Sequence, residues 1–445
     1  MLKHSLEGFF IGLMLSESYI RQLIMKGSAP LFDKTDSLNI LHTADWHIGK
    51  VLHKHALRDE LLLFFDWLLE LLKTKHIDIL LVSGDIFDLA NPAVKDRKVY
   101  YQFLTQLIQL DIKVIITGGN HDAVGLLNAP QTILDQLNIT VIGGAEEEIE
   151  QELIPIMNVD GTVELVIAAV PFLRDKDLRS QEIDTQFKNR AEAIREGIKT
   201  HYAQLATLCE QNYPNIPAIA MGHLYAKGVL PSDSERDIHV GNAAAVDSSI
   251  FSKTFNYVAL GHIHRPQIIN KNPFIRYSGS PIALSFSEKA DNKSVVLLTL
   301  EKGTINAPEI VAVPKFRSLT KFTGDLSTIT TLLSDFKPDF PLTSFVEIEV
   351  SEDKYSDITL GAVDELVAKY SDSSPFVILK ARTTFIEKSI DTSSLFEEGE
   401  HIEDLRTIDV FNKMMAHQEI NKDQQEMLKE AFLEIMESVT QSEVE

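Results

Sequence analysis

One cysteine, Cys209, stands in a chain of 445 residues, so no intrachain disulfide can form and a disulfide-stapled secreted scaffold is excluded. Its place in a helical pattern marks it as a packing residue. No apolar run reaches the roughly 20 residues that a bilayer span requires. Glycine and proline number 21 and 16, too few for a collagen-like or low-complexity chain. Basic residues are scarce too. Against 65 Asp and Glu stand 42 Lys and Arg, a formal charge of −23 that argues against a generally basic nucleic-acid coat. The deficit is uneven, with 15 acidic and 4 basic residues in 391–445. What is present is ordinary for a folded chain, 44% hydrophobic and 24% charged. At about 150 residues per domain, two to four domains fit.

The run Phe9–Leu15 follows Lys3 like a weak secretory leader, but Glu7 and Glu17 flank it and no small-residue cleavage site follows closely. Residues 1–36 are therefore expected to be an extension outside the domains, with Met25 an alternative start, and the chain to be cytoplasmic.

From Leu38 to about Ser285, short apolar runs alternate with helical patterns. The runs are Leu38–Thr43, Ile77–Ser83, Lys113–Thr117, Ile139–Ile142, Val163–Val170, Ile216–Met221 and Tyr257–Leu260, and the helical patterns Leu57–Thr74, Val94–Leu110 and Gln181–Glu210. The alternation predicts a layered α/β domain over 37–285, its sheets covered by helices. A smaller α+β unit is expected over 286–390. There Val295–Leu300, Lys302-Gly303 and Ile310–Val313 read as a hairpin, Ser344–Val350 and Phe376–Arg382 as strands, and Thr359–Tyr370 as a helix. Residues 391–403 read as an acidic linker, and 404–445 carry two short apolar stripes. Val410, Phe411 and Met414 belong to the first; Leu428, Phe432 and Ile435 belong to the second.

Five motifs follow strand-like runs: Asp45-Trp46-His47, Gly84-Asp85, Gly119-Asn120-His121-Asp122, Gly222-His223 and Gly261-His262-Ile263-His264. Similar spacings at Asp237-Ile238-His239, His53-Lys54-His55 and Gly241-Asn242 follow no such run as directly. Carboxylate, amide and neutral imidazole suit Mn²⁺, Fe²⁺ or Zn²⁺. Alternate residues of an extended segment share a face, so D-x-H and H-x-H can each converge on one ion. The glycines before Asp85, Asn120, His223 and His262 allow tight turns and close backbone approach. A single such motif is readily a helix cap; five in order, each at a strand exit, describe a dinuclear metal centre.

This ordered set resembles the calcineurin-like metallophosphoesterases. The flanking segments Thr43–Gly49, Ser83–Asp88, Gly118–Asp122, Tyr257–Pro266 and Tyr277–Pro281 resemble, more narrowly, the family's bacterial DNA-nuclease branch. The resemblance implies a layered α/β sandwich with a smaller α+β DNA-capping domain and C-terminal partner-binding helices. It implies Asp45, His47 and His264 on one Mn²⁺, Asn120, His223 and His262 on a second, Asp85 bridging, and His121 as the catalytic histidine. Asp122 is expected to orient His121 through a carboxylate–imidazole bond. The sequence departs from archaeal relatives at Asp88, where they carry a second histidine. Lys50, Arg58 and Arg265 are candidate phosphate contacts. Tyr277 is either near the substrate or packed in the core. The implied activity is two-metal exonuclease and endonuclease cleavage of double-stranded and hairpin DNA in replication, repair and recombination. The implied partners are a long coiled-coil ATPase and a second copy joined through the nuclease domain. The rival is a small-substrate phosphodiesterase or phosphomonoesterase. Against the protein phosphatases of the superfamily, Leu89-Ala90 follow Asp88, and Asp122 replaces a glutamate.

Overall fold

The computed structural model describes residues 37–178, 189–239, 242–371, 375–385, 408, 411, 412, 415 and 424–433. The expected linker 391–403 and extension 1–36 lie outside the described residues. Two units divide the chain. The first runs to Phe322 and adds Asp335–Ile348 and Val367–Lys380; the second holds Thr323–Ser334, Glu349–Leu366 and the described residues from Ala381.

In the first unit the apolar runs become two sheets. One has the order Thr304–Ile305, Ser294–Glu301, Ser37–Thr43, Ile79–Ser83, Lys113–Thr117, Ile139–Ile142, with Glu309–Ala312 also on Ser294–Glu301. The other runs Gln267–Ile269, Asn272–Tyr277, Phe255–Gly261, Ala218–His223, Val163–Ala168, Leu153–Met157. Successive side chains of a strand face opposite ways, and here both faces are buried. Ile79 and Leu81 share a cluster with Ile219, Met221 and Tyr257 between the sheets. Their neighbours Leu80 and Val82 instead join a second cluster with Phe64, Leu68 and Phe103, from helices Arg58–Thr74 and Val94–Ile108. On the outer face of the other sheet, Val166, Ala220 and Val258 pack with Ile194, Tyr202 and Cys209 of helix Arg190–Asn212. The result is four layers, helix–sheet–sheet–helix, and Cys209 is a buried packing residue as expected.

The expected boundary near Phe286 does not divide the fold. Ser294–Glu301 pairs antiparallel with Ser37–Thr43, and Val295 and Leu297 enter the same cluster as Phe64. The hairpin itself forms, turning at Lys302 and Gly303 with φ 49° and 75°, a two-residue turn matched to strand twist. It completes the first sheet rather than founding a new unit. A separate three-stranded sheet has the order Leu319–Gly324, Ser344–Glu352, Phe376–Phe385. Helices Leu326–Asp335 and Asp357–Lys369 lie in its connections, and Asp325 caps the first through Thr328 N at 2.6 Å. Among the described residues, no helix is long and apolar enough to cross a membrane.

Candidate metal centre

Parallel pairing aligns the carboxyl ends of Ser37–Thr43, Ile79–Ser83 and Lys113–Thr117 in one sheet, and of Ala218–His223 and Phe255–Gly261 in the other. Asp45, Asp85, Asn120, His223 and His262 sit at those ends, where loops of an open α/β sheet gather ligands. Tight backbone approach brings them together. A Cβ on Gly84 would lie 2.1 Å from His223 Nδ1, and one on Gly261 1.8 Å from the Ser83 carbonyl oxygen, so neither position admits a side chain. Asp45, His47 and Asp85 adopt φ of 55°, 46° and 49°, and His262 98°. Positive φ at residues other than glycine costs about 1–3 kcal/mol each and persists only where the surroundings enforce it.

Two sets of donors share Asp85, beside a third, of His47, Asp88 and His121, that does not. Donor atoms of Asp45, His47, Asp85 and His264 all lie within 4.8 Å of one another, as do those of Asp85, His223 and His262. Asp85 Oδ2 is 3.5 Å from His47 Nε2 and 3.3 Å from His223 Nε2. Asn120 Oδ1 completes the second set, 2.9 Å from His223 Nε2 and 3.1 Å from His262 Nδ1.

The hydrogen bonds of the far ring atoms show what this pocket lacks. His223 Nδ1 donates to the Ser83 carbonyl at 3.0 Å, which turns Nε2 toward Asp85 and Asn120. His264 Nδ1 donates to Ser234 Oγ at 2.6 Å, and that hydroxyl donates to Glu288 Oε1. Asp88 Oδ1 stands 3.3 Å from His47 Nδ1. The Nε2 atoms of His47 and His264 face each other at 3.0 Å. Asp45 Oδ2 and His262 Nε2 are buried without a partner. Imidazoles and carboxylates crowded together, with buried orphans beside them, fit a cation site.

Electrostatics agree. Burial pushes Asp45 up to about 7 against the pull of His223 and His264. Burial also acts on Asp85, but His223, His47 and His121 outweigh it and hold that carboxylate well below its usual range. His223 responds in reverse: burial disfavours its charge, yet Asp85 and Asp45 raise it to about 9. Burial lowers His47 to about 4 and takes His262 well below normal, so both are neutral ligands at neutral pH.

His121 is buried at the edge of this pocket, its Nε2 4.0 Å from Asp85 Oδ2. The expected partnership with Asp122 is not what orients it. His121 Nδ1 donates to the Asp88 backbone carbonyl at 2.7 Å. Asp122 instead accepts three backbone N–H groups, from Ile86 at 3.0 Å, Phe87 at 2.9 Å and Gly119 at 2.8 Å. Its carboxylate thus ties the Asp85 turn to the Asn120 turn. Tyr277 is also resolved in favour of the core. It has no exposed surface, and its hydroxyl donates to the Leu224 carbonyl at 2.8 Å and accepts from Ala226 N at 3.1 Å, so it cannot meet nucleic acid.

Lys50, Arg58 and Arg265 each face a carboxylate: Asp88 at 3.2 Å, Asp96 at 2.9 Å and Asp291 at 3.0 Å. Of the C-terminal stripes, Phe411 and Phe432 stack with centroids 4.1 Å apart, and Leu428 is 45% exposed. Val410, Met414 and Ile435 lie outside the described residues. Sequence reasoning passed over the groups that hold His264 in place, namely Ser234, Glu235, Glu288 and Lys293. They follow no strand run and share no spacing with the five motifs.

Residues 38–266 match the calcineurin-like phosphoesterase family. SbcD, the D component of nuclease SbcCD, from Escherichia coli (strain K12) is 33% identical over 403 residues, covering 89% of this chain and 97% of that protein. The SbcD proteins of Rhodobacter capsulatus and Bacillus subtilis are each 33% identical, covering 62% and 60% of this chain and 70% and 67% of those proteins. The chain belongs to the calcineurin-like phosphoesterases and, within them, to the SbcD family.

Proposed function

We propose that this chain is the metal-dependent nuclease subunit of an SbcCD-type complex. On this reading it hydrolyses DNA phosphodiesters with two Mn²⁺ ions held by Asp45, His47 and His264, by Asn120, His223 and His262, and by Asp85 between them. The observation that carries the reading is the position of Asp85 Oδ2 between His47 and His223, at the meeting point of both donor sets. Bound divalent cations would activate water and neutralise charge building on the phosphate oxygens. The protein's own part is to present and dry the pocket. The Asp88 carbonyl holds the His121 Nδ1–H, so that Nε2 is the atom turned to exchange a proton with the departing oxygen. Asp122 keeps the two ligand turns in register through its backbone bonds.

Double-stranded and hairpin DNA are the proposed substrates, in replication, repair and recombination within the cytoplasm, at the nucleoid. Lys50, Arg58 and Arg265 would each exchange a carboxylate for a phosphate, a substitution that leaves their pairing energy nearly unchanged and gives weak, salt-sensitive affinity. The three-stranded sheet region is proposed to hold DNA over the pocket. The partner is an SbcC-type ATPase with a long coiled coil, bound by the stripes of Phe411, Leu428 and Phe432, and a second copy binds through the nuclease domain. Support for the helical contact is the exposure of Met427, Leu428 and Leu433, at 69%, 45% and 50%. A nuclease assay with Mn²⁺, using duplexes with blocked or hairpin ends beside small phosphate esters, tests the reading. Cleavage of the DNA that stops on chelation is the expected result; turnover of small esters alone would replace it with the phosphodiesterase reading.

A further inference from the structure

We propose that Arg236 grips a DNA phosphate next to the scissile one, making segment 232–239 the substrate-facing wall of the metal pocket. The proposal rests on the nuclease reading above and adds a residue that no motif marked. The segment is fastened at both ends to opposite halves of the site. On one side, Ser234 Oγ accepts from His264 Nδ1 at 2.6 Å and Glu235 Oε1 accepts from the His264 backbone N–H at 2.8 Å. Glu235 Oε2 also takes Ser232 N and Oγ, each at 2.7 Å, which closes the turn on itself. On the other side, the His239 ring stacks on Phe172 at 5.0 Å, and Phe172 stands edge-on to His223 at 6.3 Å. His239 Nδ1 is 3.0 Å from Asp175 Oδ1, which pins that end.

Arg236 lies between these two anchors and is exposed. Three acids of the segment and its anchors are already engaged. Glu235 serves His264 and Ser232, Asp237 takes Asn242 Nδ2, and Asp175 is shared by Arg190 and His239. Among the described residues, Arg236 forms no ion pair, which sets it apart from Lys50, Arg58 and Arg265. An uncommitted guanidinium on a fastened segment can offer two parallel N–H groups to a phosphate with little loss of freedom. Its exposure directs it to a phosphate that stays at the rim.

The test compares Arg236→Ala and Arg236→Lys in the full chain with Mn²⁺. The ratio of kcat/KM on duplex DNA to kcat/KM on bis(4-nitrophenyl) phosphate should fall at least tenfold in the alanine variant and recover in part in the lysine variant. The slope of log affinity for DNA against log salt should shrink by about one unit on loss of one phosphate contact. A duplex with one neutral methylphosphonate beside the scissile bond should reproduce the loss in the parent protein and cost nothing more in the alanine variant. An unchanged ratio and slope, or independent penalties for the variant and the methylphosphonate, would overturn the role of Arg236 while leaving a working nuclease. A parent protein that binds Mn²⁺ and cuts no DNA would instead remove the nuclease reading beneath it.

Discussion

Side chains of one chemical type do different work in this pocket, and single substitutions should separate them. Asp85→Ala removes the only carboxylate common to both donor sets, so Mn²⁺ binding and nuclease activity should fall together. His121→Ala removes a group held by the Asp88 carbonyl, and should keep Mn²⁺ while losing about 10²–10⁴ in kcat. Titration calorimetry beside a cleavage assay checks both, and full activity in the histidine variant would refute its role. The pH dependence of metal binding follows from the same neighbours. Without cations, His223 holds its proton up to about 9 and Asp45 up to about 7. A cation must displace those protons, so affinity rises with pH. More protons leave below about 7 than between about 7 and 9, and His264, raised against its burial by Glu288 and Asp45, adds to the count. Calorimetry in buffers of different ionisation enthalpy counts these protons, and an affinity independent of pH would contradict the assignment.

At the level of strands and turns, the buried strands were readable because their runs are apolar on both faces. Lys113–Thr117 and Ile139–Ile142 form where the pattern placed them. Strand Leu153–Met157 escaped because Pro155 breaks a run that also contains exposed Met157, as suits an edge strand. Helix Leu326–Asp335 escaped because three of its residues are threonines of modest helix propensity. The metal set was legible through its position after strands, since a strand exit is a local property of sequence. The work of Asp122 was not, because its partners are backbone groups whose spacing no side-chain pattern encodes. Its consequence is testable. Asn in place of Asp122 puts a donor against backbone donors. Asp122→Asn should cost about 1–3 kcal/mol in urea unfolding and weaken Mn²⁺ binding about 10–100-fold. It should leave the pH profile of cleavage unmoved, whereas a shifted profile would restore the original partnership with His121.

For the molecule as a whole, the proposed ATPase contact assigns the C-terminal region a task separable from cleavage. A chain lacking residues 404–445 should keep Mn²⁺-dependent cleavage and lose co-purification with the coiled-coil ATPase; retained co-purification would move the contact elsewhere. The sheet order carries a further consequence, for synthesis on the ribosome. Ser37–Thr43 sits between Ile79–Ser83 and Ser294–Glu301, so its outer edge stays open until the latter emerges. Through most of translation the nascent chain therefore displays a bare, oily strand edge of the kind that recruits chaperones or misassembles. His264 is delivered just before that closing strand, so the full donor set cannot assemble on the ribosome until 264 of the 445 residues have been made.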